Sequence, residues 1–212
     1  MEQVLIYSDS LSWGIIPNTR KRLPFIQRWT GIFEASLNKQ GHNIRVIENC
    51  LNGRRTVWSD PYKAGRDGSQ HLAQVMEMHS PLKMVILMLG TNDFQRMHNN
   101  NAWLSAQGTA KLIEIIRQAP IEPDMPTPQI MVVAPPKIIK PQGAIADKFH
   151  DAEIHSIGLA DELLKVAKAQ AVFYFNADSV TKASAIDGIH LDEPQHELLG
   201  EALAEYYLTT LK

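Results

Sequence analysis

The sequence predicts an α/β fold, a three-layer α/β/α sandwich built on a five-stranded parallel sheet. Three observations predict it. Five short apolar runs recur along the chain, and segments of helical period separate them. The runs are apolar throughout instead of alternating, as strands covered on both faces must be. A length of 212 residues suits one substantial domain, so 1–212 is read as a single unit.

Residues 4–7 form the first apolar run, preceded only by Met1-Glu2-Gln3; with no basic leader, long apolar segment or cleavage signal, it reads as a strand and not a targeting peptide. Trp29, Ile32, Phe33 and Leu37 make a helical stripe. Residues 44–47 are the second strand. Leu72, Val75, Met76 and His79 mark a helix that stops before Ser80-Pro81. Residues 84–89 are the third strand, and Leu112, Ile113 and Ile116 mark the next helix. The Pro-rich stretch 120–128 is a loop feeding the fourth strand at 130–134. Ile154, Ile157, Leu164 and Ala167 are taken as one helix, 171–175 as the fifth strand, and Leu198, Leu199, Ala202, Leu203 and Tyr206 as the last helix. The outline is flavodoxin-like.

Composition narrows the function. Lys and Arg total 21 against 23 for Asp and Glu, a net charge of -2. That balance gives no broad attraction to phosphate backbones or anionic lipid, so neither nucleic acid nor membrane is an expected partner. The run Arg20-Lys21-Arg22 reads as a solvated loop. Cys50 is the single cysteine, so no intrachain disulfide can form. No stretch approaches the ~20 apolar residues that span a bilayer. A cytoplasmic protein is the expectation.

In an open parallel sheet, ligands bind beyond the carboxyl ends of the strands. The chain places Ser8-Asp9-Ser10-Leu11-Ser12 after the first strand, Asn52-Gly53 after the second, Gly90-Thr91-Asn92-Asp93 after the third, and Asp187-Gly188-Ile189-His190 before the last helix. Each alone is an ordinary cap or turn. Together they hold what acyl transfer needs: a nucleophile, a base, a group to orient the base, and donors for an oxyanion. Ser10 supplies the hydroxyl, His190 the base and Asp187 the orienting carboxylate. The backbone N–H groups of Ser10 and Gly53 and the Asn92 amide supply the donors. No cofactor is called for.

Ser8-Asp9-Ser10-Leu11 resembles the GDSL block of SGNH hydrolases, and Gly53, Gly90-Thr91-Asn92-Asp93 and Asp187-Gly188-Ile189-His190 resemble that family's later blocks, in order over nearly the whole chain. Arg28-Trp29-Thr30-Gly31 and Pro135-Pro136 are similar to the bacterial arylesterase/acyltransferase branch, which includes carbohydrate acetylesterases. The resemblance implies a triad of Ser10, Asp187 and His190, an oxyanion hole of Ser10, Gly53 and Asn92, and a homo-oligomer. Ser8 stands where the family usually has glycine. If that position needs a positive φ, the turn is strained by about 1 kcal/mol.

Other residues have plainer readings. Cys50 lacks a dedicated base and reads as a buried structural cysteine. His196, with Asp187, His190 and Asp192, could suggest a metal cluster, but the spacing serves a triad equally well and no metal is assigned. His71 and His79 read as core or rim histidines. Trp58, Phe94 and Trp103 read as packing aromatics, whereas Trp13, three residues past Ser10, is expected to wall a small acyl pocket. His98-Asn99-Asn100-Asn101 reads as an exposed loop. The function expected is hydrolysis of short-chain, acetyl-type esters of aryl, alkyl or sugar alcohols through a Ser10 acyl-enzyme. The alternatives are acyl transfer to alcohols in preference to water, and a non-catalytic flavodoxin-like binding module. The absence of a Gly-rich phosphate loop counts against the module.

Overall fold

The computed structural model describes residues 1–210. Strand β1 spans Glu2–Ser8 and runs directly into a single helical turn, α1, Ser10–Trp13. Helix α2, Trp29–Lys39, leads to β2, Ile44–Cys50; α3, Leu72–His79, leads to β3, Met84–Met88. Helix α4, Ala102–Gln118, and β4, Gln129–Ala134, come next. A short α5, Ala152–His155, and α6, Leu159–Ala169, precede β5, Phe173–Asn176, and α7, Glu193–Thr210, follows.

All strand pairs are parallel, in the order β2-β1-β3-β4-β5. Every residue of β3 is buried, which explains why that run carries no polar alternation. The two faces of the sheet are separate cores. Leu5, Val85, Leu87 and Val132 pack with Leu72, Met76, Leu112, Ile113 and Leu163 from α3, α4 and α6. Val4, Ile6, Met84, Ile86 and Met131 pack on the other side with Trp29, Phe33, Leu37, Leu199 and Leu203 from α2 and α7. Each such side chain, fully withdrawn from water, contributes about 1.5–3 kcal/mol. The sheet order reverses direction between β1 and β3, so the loops leaving these strands diverge and open a crevice.

The expected fourth helix divides in two. Gly158, at φ +87°, sits in the left-handed region that ends a helical turn and separates α5 from α6. Ile154 and Ile157 are 60% and 74% exposed, and the buried stripe is Leu159, Leu163, Val166 and Ala167. In α7 the buried face is Leu199, Leu203 and Tyr207, while Leu198 points to solvent. His71 is exposed at the start of α3. The segment 98–101 is only partly a surface loop: Asn100 is buried and donates to the Asp93 carbonyl at 3.1 Å, and Asn101 caps α4 by accepting from the Leu104 N–H at 2.9 Å. No described helix is long and apolar enough to cross a membrane.

Candidate active site

Four segments meet at the crevice between β1 and β3. The first is the strand-to-helix turn that carries Ser10. Asp9 caps α1 by accepting the Leu11 N–H at 2.9 Å, which fixes the turn and sets Ser10 at the first helical position. Ser8 ends β1 in register with Met88 and is not among the positive-φ residues. Its hydroxyl donates to the Met88 carbonyl at 2.7 Å and accepts from the Ser12 hydroxyl at 2.6 Å. The strain expected from replacing glycine is therefore absent: the backbone is strand, and the buried hydroxyl is fully partnered.

The second segment, Asp187 to His190, sits in a loop pinned from several sides. Gly188 takes φ +80°, and a Cβ there would lie 2.5 Å from the Lys140 carbonyl oxygen, so only glycine fits. Asp187 Oδ1 accepts the N–H groups of Ile189 and His190 at 3.0 and 2.9 Å. Oδ2 accepts the Asn18 N–H at 3.2 Å and faces His190 Nδ1 at 2.7 Å. Burial pushes the Asp187 carboxyl up, but the imidazole beside it and the two backbone donors prevail and hold it at about 2. An ionised carboxylate only accepts, so the proton of the neutral imidazole sits on Nδ1 and the Nε2 lone pair is left for its other neighbour. That neighbour is Ser10 Oγ, at 3.1 Å. The three side chains named in the sequence thus stand in one line, buried to 6%, 1% and 7% exposure for Ser10, Asp187 and His190.

The third and fourth segments carry Gly53 and Asn92. Gly53 takes φ +82° and lines the cleft, a conformation that glycine adopts at no steric cost. Among the described residues neither the Ser10 nor the Gly53 amide N–H has a partner. Asn92 Nδ2 donates to Asp9 Oδ2 at 2.9 Å, and its Oδ1 accepts from Gln95 Nε2 at 2.7 Å. Gln95 Oε1 in turn accepts from Arg55 Nη2. A guanidinium only donates and a carboxylate only accepts, so these two ends dictate the orientation of both amides between them. Asn92 has no freedom to flip, and its second Nδ2 hydrogen remains for the cleft.

Asp93 anchors the same loop from behind. Its carboxylate accepts from the Thr56 N–H and hydroxyl at 2.9 and 2.7 Å and from the Ser105 hydroxyl at 2.6 Å. Burial raises both Asp9 and Asp93 to about 6.

These groups open into a cleft of about 80 Å³. Its apolar walls are Ile15, Ile145 and Phe149; Asn52, Gly53, Asn92 and the buried Asp60 carboxylate form the polar side, and the exposed Arg20, Lys63 and Lys148 stand at the mouth. Trp13 is not part of the lining. Its ring lies under the Arg22 guanidinium at 4.8 Å, and its carbonyl accepts from Arg22 Nε at 2.7 Å, so the side chain is held against its own loop. Phe94 is buried at 2% exposure and Trp103 is 55% exposed; neither lines the cleft. Cys50 is half-buried at the end of β2 and its thiol is pushed up by burial and by Glu48 nearby, an inert state. His196 Nδ1 accepts the Trp29 N–H at 3.2 Å and burial holds the ring down to about 4, a neutral structural histidine. Asp192 Oδ1 takes the Ser184 hydroxyl at 2.9 Å. Arg55, Gln95, Ile145 and Phe149 also build the site and were not legible in the sequence, because they lie outside the periodic strands and helices.

No protein-family model and no curated protein matches the chain. Solved structures do. An aryl esterase of M. smegmatis, in its inhibitor-bound form, superposes with a TM-score of 0.93 at 30% identity over 99% of each chain. A carbohydrate acetylesterase from Sinorhizobium meliloti gives 0.91 at 32%, again over 99% of each chain. This chain belongs to the SGNH hydrolase family. A member of the lipolytic G-D-S-L family from Veillonella parvula DSM 2008 shares the fold at a TM-score of 0.67 with 13% identity. As an SGNH hydrolase close to arylesterases and carbohydrate acetylesterases, the chain is a carboxylic ester hydrolase.

Proposed function

We propose that this SGNH hydrolase cleaves short-acyl, acetyl-type esters of aryl, alkyl or sugar alcohols through an acyl-enzyme on Ser10. The observation that carries the reading is the line Asp187 Oδ2–His190 Nδ1 at 2.7 Å and His190 Nε2–Ser10 Oγ at 3.1 Å, both within hydrogen-bond reach. Ser10 Oγ attacks the ester carbonyl as His190 Nε2 takes its proton, and Asp187 stabilises the imidazolium that forms. Negative charge moves onto the carbonyl oxygen, which the Ser10 and Gly53 N–H groups and the free Asn92 Nδ2 hydrogen receive. His190 then returns the proton to the leaving alcohol, and the acyl group stays on Ser10. Water repeats the sequence in reverse, releasing the acid. A cleft of about 80 Å³ between Ile15, Ile145 and Phe149 supports a short acyl group. The structural likeness to an aryl esterase and a carbohydrate acetylesterase supports the ester class.

A series of 4-nitrophenyl esters of graded acyl length tests the reading. Acetate is expected to give the highest kcat/KM, falling as the acyl chain lengthens. No hydrolysis at any length, or a preference for octanoate, would overturn it.

A further inference from the structure

We propose that the mouth of the Ser10 cleft is a subsite for an oxyanion, so that the enzyme selects esters carrying a carboxylate or phosphate on the part of the molecule remote from the attacked carbonyl. The proposal rests on the esterase reading of Ser10 and deepens it by naming a substrate class.

Arg20, Lys63 and Lys148 come from three separate loops and line the same cleft as Ser10 and His190. Among the described residues none of the three has an ion-pair partner. The one carboxylate in the lining is Asp60, and it is already committed: Oδ2 pairs with Arg55 Nη1 at 3.1 Å and Oδ1 accepts the Tyr62 N–H at 2.9 Å. Arg66, behind Gly53, spends its guanidinium on the Asn52 and Ala64 carbonyls, which cancel no charge. The basic run Arg20-Lys21-Arg22 is thereby split in role. Arg22 pairs with Glu48 at 3.0 Å, a carboxylate it shares with Arg28 at 2.8 Å, whereas Arg20 lines the cleft without an ion-pair partner.

The chain as a whole is slightly acidic, at a net charge of -2, so this local excess of cations is no by-product of composition. Burial and the neighbouring Arg66 and Arg20 hold the Lys63 ammonium below its usual range, and burial, Arg55, Lys63 and Arg20 do the same to Lys148; Asp60 pulls both upward but does not prevail. Cations crowded this way repel one another, and an anion bound among them relieves the repulsion. Ionised groups at the rim of a concave site also raise the local concentration of oppositely charged ligands, here by about tenfold.

The test compares 4-acetoxybenzoate, 4-acetoxyphenyl phosphate and the neutral 4-acetoxybenzamide on the full chain, each rate divided by that ester's hydroxide-catalysed rate. At low ionic strength at least one anionic ester is expected to exceed the amide about tenfold in normalised kcat/KM. Whichever arm shows the preference identifies the oxyanion. The ratio is expected to fall toward one at ~1 M salt, where the screening length is about 3 Å. It should also fall in the triple variant Arg20→Gln, Lys63→Gln, Lys148→Gln. Equal normalised values for all three esters, with hydrolysis still dependent on Ser10, would overturn the subsite and leave the esterase reading standing. So would a preference that survives both high salt and the triple variant. No hydrolysis of any of the three would overturn both.

Discussion

Replacing Asn92 by alanine removes one amide and two buried hydrogen bonds, and the structure separates the consequences. Asp9 Oδ2 loses its donor at 2.9 Å and Gln95 Nε2 loses its acceptor at 2.7 Å. Each orphaned buried group costs about 1–3 kcal/mol, so the fold is expected to lose on the order of 2–5 kcal/mol. The catalytic loss has a different origin. In the proposed mechanism the free Nδ2 hydrogen meets charge that exists only in the tetrahedral intermediate, so kcat is expected to fall by about 10²–10³ with little change in KM. Steady-state kinetics on an aryl acetate, with urea unfolding of the same preparation, reads both effects. Asn92→Asp is expected to be at least as damaging, because a second carboxylate would face Asp9 as well as the oxyanion. Thr91→Val is the contrast: the Thr91 hydroxyl is buried without a partner, so its removal should leave kcat within a few-fold. If Asn92→Ala raised KM and left kcat unchanged, Asn92 would be a ground-state contact and the donor assignment would fail.

Further outcomes follow from the same geometry. Ser10→Ala is expected to lower kcat by about 10⁴ or more with the fold intact, while Cys50→Ala changes little; near-normal turnover in folded Ser10→Ala would refute the nucleophile. Asp187→Asn should slow turnover up to about 10⁴-fold, because the imidazole loses the acceptor that fixes its tautomer; kinetics with unchanged Tm would separate this from unfolding. Asp93 titrates at about 6 in the fold against 3.8 unfolded, so the native state binds more protons between these values. Stability is therefore expected to fall as pH rises from about 4 through about 6, by on the order of 3 kcal/mol for this group; calorimetry should show a shallower pH slope in Asp93→Asn, and an unchanged slope would refute it. Asp187, held at about 2, has the opposite sign: its contribution is present above about 4 and lost as pH falls through 2.

The strands were legible because a sheet buried on both faces leaves continuous apolar runs, such as the one that became Met84–Met88. That Ser10, Asp187 and His190 come together was legible because ligands in this topology meet strand ends, and these residue types there make one chemical set. What failed did so for local reasons. Ile154 and Ile157 fit a helical period on paper, but Gly158 breaks the helix and rotates the stripe onto Leu159 and Leu163. Trp13 lies near Ser10 in sequence, yet Arg22 holds its ring away from the cleft. Ser8 suggested strain only because glycine is usual there; its hydroxyl instead pairs with Met88 and Ser12. Arg55 is wholly buried, which charge alone argues against. Its partners Asp60 and Gln95 are 5 and 40 residues away, a separation no local pattern exposes.

The central claim is that Ser10 forms the covalent bond. A 4-nitrophenyl phosphonate, attacked by the serine with loss of 4-nitrophenolate, leaves a stable adduct that intact-mass and peptide mass spectrometry can locate. The account expects one adduct per chain, on Ser10, with esterase activity lost in proportion to labelling and no adduct in Ser10→Ala. An adduct on another residue that abolishes activity, or full esterase activity in a chain labelled at Ser10, would contradict it.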